Sequence, residues 1–338
     1  MSAAGAGIDQ GWHQFEAGNH AAARRTAERE LRDDPEHPDA LLLLGACLRQ
    51  QGEAQEALAV LARAANADPA WSEPHYQMAE ILAEDLERPA DALAHAAQAL
   101  DRAEEEDEFL DAILLKAGLE IQLSKTRAAQ ATLSELPPAQ EVAFPEELQL
   151  DLAYMFLEAE LVEDAEQRFR LLTGLGAENS EAWYGMGLCA DERGDESAKR
   201  SAWLRVLELD AKAPLQNPHL SEAEMAEVAE QALHELPETA RRLIENVPIL
   251  IVDLPACDEV EHGLDPRLLG LFAGTAYSDA STMGGVPLVT QILLFRKNLE
   301  RMAIDPEDLR EQIRITLLHE TGHFFGMSEA DLADVGLD

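Results

Sequence analysis

The sequence of 338 residues is 46% hydrophobic and 5% aromatic, and its formal net charge at pH 7 is -40. Its length favours two or three domains, and sparse aromatic residues beside abundant alanine favour close-packed helices over a β-sandwich or β-barrel. The charge predicts repulsion from nucleic acids and anionic membranes, which argues against both as partners, and attraction to basic peptides or basic protein surfaces.

The sequence carries no signal for secretion or membrane insertion. Residues 1–10 lack a basic segment followed by an apolar run, and no stretch approaches the roughly 18 consecutive apolar residues of a transmembrane helix. We therefore expect a cytoplasmic protein.

Residues 8 to about 213 contain an internal repeat. Gly18 and Gly52 are 34 residues apart, and so are Pro35 and Pro69. A period of about 34 residues that comprises two helices is typical of tetratricopeptide (TPR) repeats, in which small residues let paired helices approach closely. The segment resembles the TPR family throughout, with about six repeats, and the register of the middle two is left open by several residues.

The TPR resemblance implies an α-solenoid whose concave face binds an extended peptide or a partner helix. The negative charge favours a basic protein or peptide as this ligand. The alternative interpretation is that the repeats form only a rigid spacer or an oligomerisation platform.

A second domain is expected over residues 219–338. The segment 213–218 contains two prolines and predicts the linker that precedes it. Ser221 and Glu224 match the capping-box pattern, which predicts the start of a helix that runs to about Glu235.

Two apolar segments of this domain predict β-strands. Residues 248–254 predict a buried strand and residues 286–295 a second one, and an acidic loop is expected at 258–265. Tyr277 is a candidate oxyanion donor, although a packing role is the simpler interpretation.

A well-delimited helix is predicted beyond the second strand. Asp305 is a suitable N-cap, and Pro306 fits the first helical position. Apolar residues then recur at helical spacing in Leu309, Ile313 and Leu317.

The last two turns of this helix carry the motif H-E-x-x-H, formed by His319, Glu320 and His323. Histidines four residues apart lie on one helix face and can bind one metal ion, and Glu320 can take a proton from a water that a zinc-like ion activates. Gly326 lets the backbone turn sharply at the helix end. The alternative is an ordinary amphipathic helix with exposed or half-buried histidines, but the helix signals on both sides favour a metal site.

A catalytic zinc ion usually takes three protein ligands. In the extended pattern H-E-x-x-H-x-x-G-x-x-(H/D), the third ligand falls three residues after the glycine, which is Glu329 in this chain. Asp331 is the rival candidate. The simpler interpretation of Glu329 is a solvated acid in an acidic segment.

From about Leu243 to Leu332 the chain resembles the minimal zincin-like metallopeptidase family of bacteria. The resemblance rests on the motif helix and its flank at 309–332 and on apolar blocks at 244–247, 268–272, 285–288 and 292–295. It implies a compact α/β core and peptidase activity, with the strand that ends at Phe295 bordering the substrate cleft. An extended peptide could then pair with the edge of this strand. The family pattern has Asp where this chain has Glu329.

These features predict a mostly α protein, with an N-terminal TPR-like α-solenoid followed by a small α+β zincin-like domain. The first hypothesis is a zinc metallopeptidase in which His319, His323 and Glu329 hold the metal, Glu320 is the general base, and the solenoid recruits substrate or partner proteins. The alternative is a non-catalytic TPR interaction protein that carries a degenerate zincin-like domain.

Overall fold

The computed structural model describes residues 3–139, 144–175, 178–215, 217–274 and 291–333. Within these ranges the chain is 71% helical and has one small sheet of 3 strands in its C-terminal region. Packing divides the chain into two compact units, Met1–Arg168 and Phe169–Asp338. Among the described helices, none combines the length and apolar character that crossing a lipid bilayer requires.

The first unit consists of successive helices. They are α1 (Ala3–Glu16), α2 (His20–Asp33), α3 (Pro38–Gln50), α4 (Ala54–Ala67), α5 (Glu73–Glu80), α6 (Pro89–Arg102), α7 (Glu106–Gln122), α8 (Thr126–Leu133), α9 (Glu146–Glu158) and α10 (Val162–Leu175), which crosses into the second unit. Consecutive helices pack as pairs, α1 with α2, α3 with α4, α5 with α6, and α7 with α8. Small side chains between them, such as Ala57 and Ala64 of α4, are fully buried, which allows this close approach.

The turns within successive helix pairs contain a residue with positive φ. In the pair α3–α4 this residue is Gly52, with a φ of 76°. The three middle turns use Glu87 (φ 53°), Ser124 (φ 55°) and Glu160 (φ 62°) instead. Because these turns lack the glycine that marks the others, the sequence left the register of the middle repeats open, and the structure fixes it. A π-helical segment, Ile81–Asp85, absorbs the extra residue of the third repeat.

The second unit joins one more helix pair to a small α/β fold. Its elements after α10 are α11 (Ser180–Glu192), α12 (Glu196–Lys212), α13 (Glu222–Glu235), α14 (Glu238–Ile244), β1 (Ile249–Val252), α15 (Cys257–Glu261), β2 (Gly270–Ala273), β3 (Gln291–Phe295), α16 (Arg296–Met302), α17 (Pro306–Phe324) and α18 (Glu329–Ala333).

The sheet has the strand order β1-β3-β2, with β1 parallel and β2 antiparallel to β3. In this register Ile251 pairs with Leu294 and Leu271 pairs with Leu293. Helices α13 and α17 pack against each other and against the strands. The shared core contains the buried residues Met225, Ile244, Ile292, Leu294, Leu299, Leu309, Ile313 and Leu317.

Both helix starts predicted for this region are confirmed. Ser221 and Glu224 form a complete capping box at the start of α13. The Asp305 side chain accepts hydrogen bonds from the N–H groups of Glu307 and Asp308 at 2.8 and 2.9 Å, and Pro306 occupies the first position of α17. These contacts satisfy backbone donors that have no partner within the helix.

The strands and the loop between them differ from the sequence predictions. β1 is partly exposed rather than buried, and Leu250 is 42% exposed. The expected acidic loop at 258–265 begins inside α15. Because β1 and β2 both pair with β3, the strand ending at Phe295 has no free edge for a substrate, so that prediction is wrong. Residues 275–290, with Tyr277, lie outside the described part of the chain.

The linker predicted at 213–218 falls between two helices. α12 ends at Lys212 and α13 begins at Glu222. Packing nevertheless groups α11 and α12 with the sheet in one compact unit. The domain limits 8–213 and 219–338 stay a prediction.

Candidate metal centre and active site

The two motif histidines of α17 face each other on consecutive turns. His319 Nε2 lies 2.9 Å from His323 Nε2, and the ring planes are inclined by 78°. Two imidazole nitrogens at this distance must share a hydrogen or a cation, since two opposed lone pairs repel. The pair is therefore positioned to bind one metal ion.

The hydrogen-bond partner of the second ring nitrogen fixes the tautomer of His323. His323 Nδ1 lies 3.2 Å from the carbonyl oxygen of Met327, which can only accept a hydrogen bond. Nδ1 therefore carries the hydrogen, and Nε2 keeps the lone pair that a metal needs. The helix end creates this contact, because Gly326 has a φ of 83° and the Met327 N–H donates to the Gly322 carbonyl at 3.0 Å. Gly326 thus ends α17 as predicted and also orients a candidate ligand.

Glu320 is buried between α17 and the sheet. Its side chain is anchored by the backbone N–H of Phe272 on β2, which donates to Glu320 Oε2 at 2.6 Å. The residue is only 7% exposed. A carboxylate held in this way has a fixed position, as a general base requires.

Gly270 on β2 allows this approach of helix and strand. A Cβ atom at Gly270 would lie 2.6 Å from Thr316 Cγ2 and 3.1 Å from Glu320 Cγ. Any side chain there would push α17 away from β2 and lengthen the Phe272–Glu320 hydrogen bond. No role was predicted from the sequence for Gly270 or Phe272, although a glycine inside an apolar strand indicates a close approach of another backbone.

The two candidates for the third ligand lie on α18. Glu329 is the first residue of this helix, and its side chain lies outside the described part of the chain. Asp331 Oδ2 accepts hydrogen bonds from Ser328 Oγ at 2.6 Å and Ser328 N–H at 2.9 Å, and these bonds lower the pKa of Asp331. The Asp331 carboxylate is therefore engaged in capping α18.

The segment that carries both candidates folds back onto the motif helix. Leu332 is fully buried, and a Cβ at Gly322 would lie 2.4 Å from Leu332 Cδ2. Gly322 therefore makes room for α18 beside the two histidines. Within the described residues, no three His, Cys, Asp or Glu side chains gather in a metal-binding arrangement.

The donors at this site fit a zinc ion. Zinc binds imidazole nitrogen and carboxylate oxygen, and it favours a neutral histidine whose other nitrogen is hydrogen-bonded to a carbonyl. His323 meets that condition through Met327, and His319 Nε2 lies opposite His323 Nε2. The structure thus brings His319 and His323 together on α17, whereas the roles of His319, Glu320 and His323 in a metal site stay a prediction.

Two family models match separate parts of the chain. The family model for zincin-like metallopeptidases matches residues 244–337, and a tetratricopeptide-repeat model matches residues 8–72. No curated protein matches the sequence significantly.

Several solved structures are similar to the chain at low identity. The crystal structure of PilW, a widely conserved type IV pilus biogenesis factor, is 18% identical with a TM-score of 0.48 and aligns over 64% of this chain and 96% of that chain. YrrB, a TPR protein with an unusual peptide-binding site, is 14% identical with a TM-score of 0.46, over 55% and 93%. A TPR protein from Parabacteroides merdae is 17% identical with a TM-score of 0.45, over 71% and 96%.

Similarities of this size carry no assignment for the chain. The family matches add the assignment of each region, since they fall on the first helix pairs and on the segment that contains the motif helix. The chain thus carries TPR repeats at its N-terminus and a zincin-like metallopeptidase domain over residues 244–337.

Proposed function

We propose that the protein is a zinc-dependent metallopeptidase that hydrolyses peptide bonds. The observation that carries this proposal is the arrangement on α17, where His319 Nε2 and His323 Nε2 are 2.9 Å apart and the residue that follows His319 is the buried Glu320. A purely structural metal site needs no base at the position of Glu320, so the complete motif favours catalysis.

In this proposal His319, His323 and Glu329 hold the zinc ion. The ion would supply Lewis-acid activation and lower the pKa of water to about 7. Glu320 takes the proton of the attacking water on its carboxylate and returns it to the leaving amine. The Phe272 N–H holds this carboxylate in place, because it donates to Glu320 Oε2 at 2.6 Å.

We place the extended substrate along β2 rather than β3. Among the described strands β2 lies at the edge of the sheet, whereas β3 is paired on both sides. β2 also contacts Glu320 directly through Phe272. Peptides commonly bind enzymes by adding a strand to such an edge.

The solenoid would recruit substrate or partner proteins, with a preference for basic ones. Burial raises the pKa of Glu73 on α5, and the charges of Glu108 and Asp111 on α7 raise it further. Carboxylates crowded in this way would be stabilised by an incoming lysine or arginine. The same proposal describes a cytoplasmic, bacterial protein that binds neither nucleic acids nor membranes.

The direct test of catalysis is Glu320→Gln. We expect turnover of basic peptides to fall by about 100-fold or more, because general base catalysis is lost, while the bound zinc is retained. Turnover is measured on a basic peptide library and zinc by elemental mass spectrometry on the same samples. Retention of turnover in this variant would contradict the role of Glu320.

A second candidate function is that of a non-catalytic TPR interaction protein. It is favoured by Glu329, which stands where the zincin-like family pattern has Asp. A wild-type chain that takes up no zinc when zinc is supplied would support this alternative. The partners of the solenoid would then define the function.

A further inference from the structure

The second unit contains a polar anchor that joins the helix pair α11–α12 to the loop before β2. Arg267 lies in that loop, and its side chain is only 11% exposed. Its guanidinium donates to Ser180 Oγ at 2.8 Å and to Glu181 Oε2, both on α11. It also stacks over the Tyr184 ring, 4.6 Å from the ring centroid. A planar guanidinium that makes all these contacts fixes both position and orientation.

The anchor continues into α12 through a buried carboxylate. Asp210 has a side chain that is 4% exposed, and its Oδ2 lies 2.9 Å from Arg301 Nη2 and 3.7 Å from Arg267 Nε. Lys297 donates to the carbonyl oxygens of Asp210 and Ala213 at 2.8 and 2.6 Å, so it caps the end of α12. Two cations from α16 and one from the loop therefore meet the C-terminal end of α12.

The same loop is held from the other side by α16. Asn298 is 1% exposed and donates to the carbonyl oxygens of Pro266 and Leu268 at 2.9 and 2.7 Å. Tyr184 Oη donates to Asp265 Oδ2 at 2.8 Å. Side-chain contacts with α11 and α16 thus fix the backbone of residues 265–268.

This loop leads directly into the strand that holds the candidate base. β2 begins at Gly270, against which Glu320 packs, and two residues later the Phe272 N–H donates to Glu320 Oε2. The strand has only four residues, so its position depends strongly on how its ends are held. A shift of the loop is transmitted over a few residues to Glu320.

We propose that the helix pair α11–α12 is a structural support of the active site, and that Arg267 is a positioning residue which acts on Glu320 through β2. The expected effect of Arg267 on kinetics rests on the proposed peptidase function, whereas the expected effect on the position of β2 does not. The terminal repeat then belongs to the catalytic module, whereas the preceding repeats remain free to serve as a recruitment surface.

The test compares Arg267→Met with Arg296→Met in the full-length chain. Arg296 is a matched control, because it pairs with Asp253 at the end of β1 and not with the β2 loop. We expect hydrogen exchange of the β2 amides, Phe272 above all, to become about tenfold faster in Arg267→Met and to stay at the wild-type rate in Arg296→Met. Unchanged β2 exchange in Arg267→Met, or equal acceleration in the control, would overturn the proposal.

Two further variants keep the test independent of gross unfolding. Tyr184→Phe removes only the hydrogen bond to Asp265, and we expect a smaller acceleration, about threefold. Arg267→Lys keeps the charge but loses the planar fork, so its exchange rate should lie between those of wild type and Arg267→Met. If Tyr184→Phe and Arg267→Lys both leave β2 exchange unchanged, the anchor does not position the strand.

Kinetics separate this proposal from the proposed function. In an active enzyme, Arg267→Met should lower kcat about tenfold because the base is misplaced, and should also raise KM because the substrate is placed along the same strand. An equal loss in kcat for Arg296→Met would contradict a specific role of Arg267. If β2 exchange accelerates as expected but the wild-type chain shows no turnover, the peptidase proposal fails and the positioning of β2 stands.

Discussion

The described residues include a close histidine pair in each unit, and the two pairs differ in a way that bears on function. In the solenoid, His75 of α5 and His95 of α6 have their Nδ1 atoms 3.3 Å apart and their rings stacked at 24°. In the zincin-like domain, His319 and His323 lie on one helix with Nε2 atoms 2.9 Å apart and rings at 78°. Distance alone does not tell the two pairs apart.

The surroundings of each pair make the difference. Burial lowers the pKa of His75 to about 4, with further contributions from Arg102 and His95, so this pair is a neutral contact between two helices. In the α17 pair, His319 is followed along the chain by the buried Glu320, and the His323 tautomer is fixed by a backbone carbonyl. An orienting acceptor prepares an imidazole to bind a metal ion, and a base is what a catalytic metal site needs in addition.

Zinc content offers the strongest test of this comparison. We expect about one zinc ion per wild-type chain, complete loss in His319→Ala, and full retention in His75→Ala, because only the α17 pair has the ligand geometry for zinc. Elemental mass spectrometry after exhaustive dialysis gives the stoichiometry. Equal zinc loss in both variants would remove the distinction between the pairs.

The features of the fold and of the candidate site that could be predicted from the sequence are those with local signals. Asp305 and Pro306 mark the start of α17. The two histidines of H-E-x-x-H are four residues apart and therefore lie on one face of this helix, so both features can be predicted from the local sequence. The middle repeats were harder, because Glu87 takes the left-handed conformation that glycine takes elsewhere. A residue of that type carries no turn signal, although the fold imposes the same backbone on it.

The parts that sequence missed depend on contacts between distant residues. Phe272 is 48 residues from Glu320, and Arg267 is 87 residues from Ser180. No local pattern links these positions, because their proximity arises only when β2 packs on α17 and the loop meets α11. The choice of substrate strand failed for the same reason, since the order β1-β3-β2 depends on pairing and not on strand propensity.

The next test displaces the buried carboxylate of Glu320, which sets the α17 pair apart from the solenoid pair. Gly270→Ala places a methyl group 2.6 Å from Thr316 Cγ2, so α17 must move away from β2. We expect stability to fall by about 1–3 kcal/mol from overpacking, and turnover to fall about tenfold because Glu320 is displaced. Zinc content should remain at the wild-type level, which makes the variant differ from His319→Ala.

A second substitution provides the control for Gly270→Ala. Thr316→Ser removes the Cγ2 atom that the new methyl group would meet. The double variant Gly270→Ala/Thr316→Ser should therefore recover part of the lost stability and turnover. Purely additive losses in urea unfolding and peptide kinetics would argue against close packing as the cause.

The smallest expected effect is the pH dependence contributed by the solenoid pair. The pKa of His75 is about 4 in the folded chain against 6.5 for a free imidazole, so the unfolded chain binds more protons between these values. The stabilisation from the neutral ring is complete above pH 6.5 and is lost progressively as the pH falls toward 4. Urea unfolding of wild type and His75→Leu across this range measures the difference in slope. Parallel curves would show that His75 is not a buried neutral group, and the contrast between the two pairs would then have to rest on the carboxylate and the Met327 carbonyl alone.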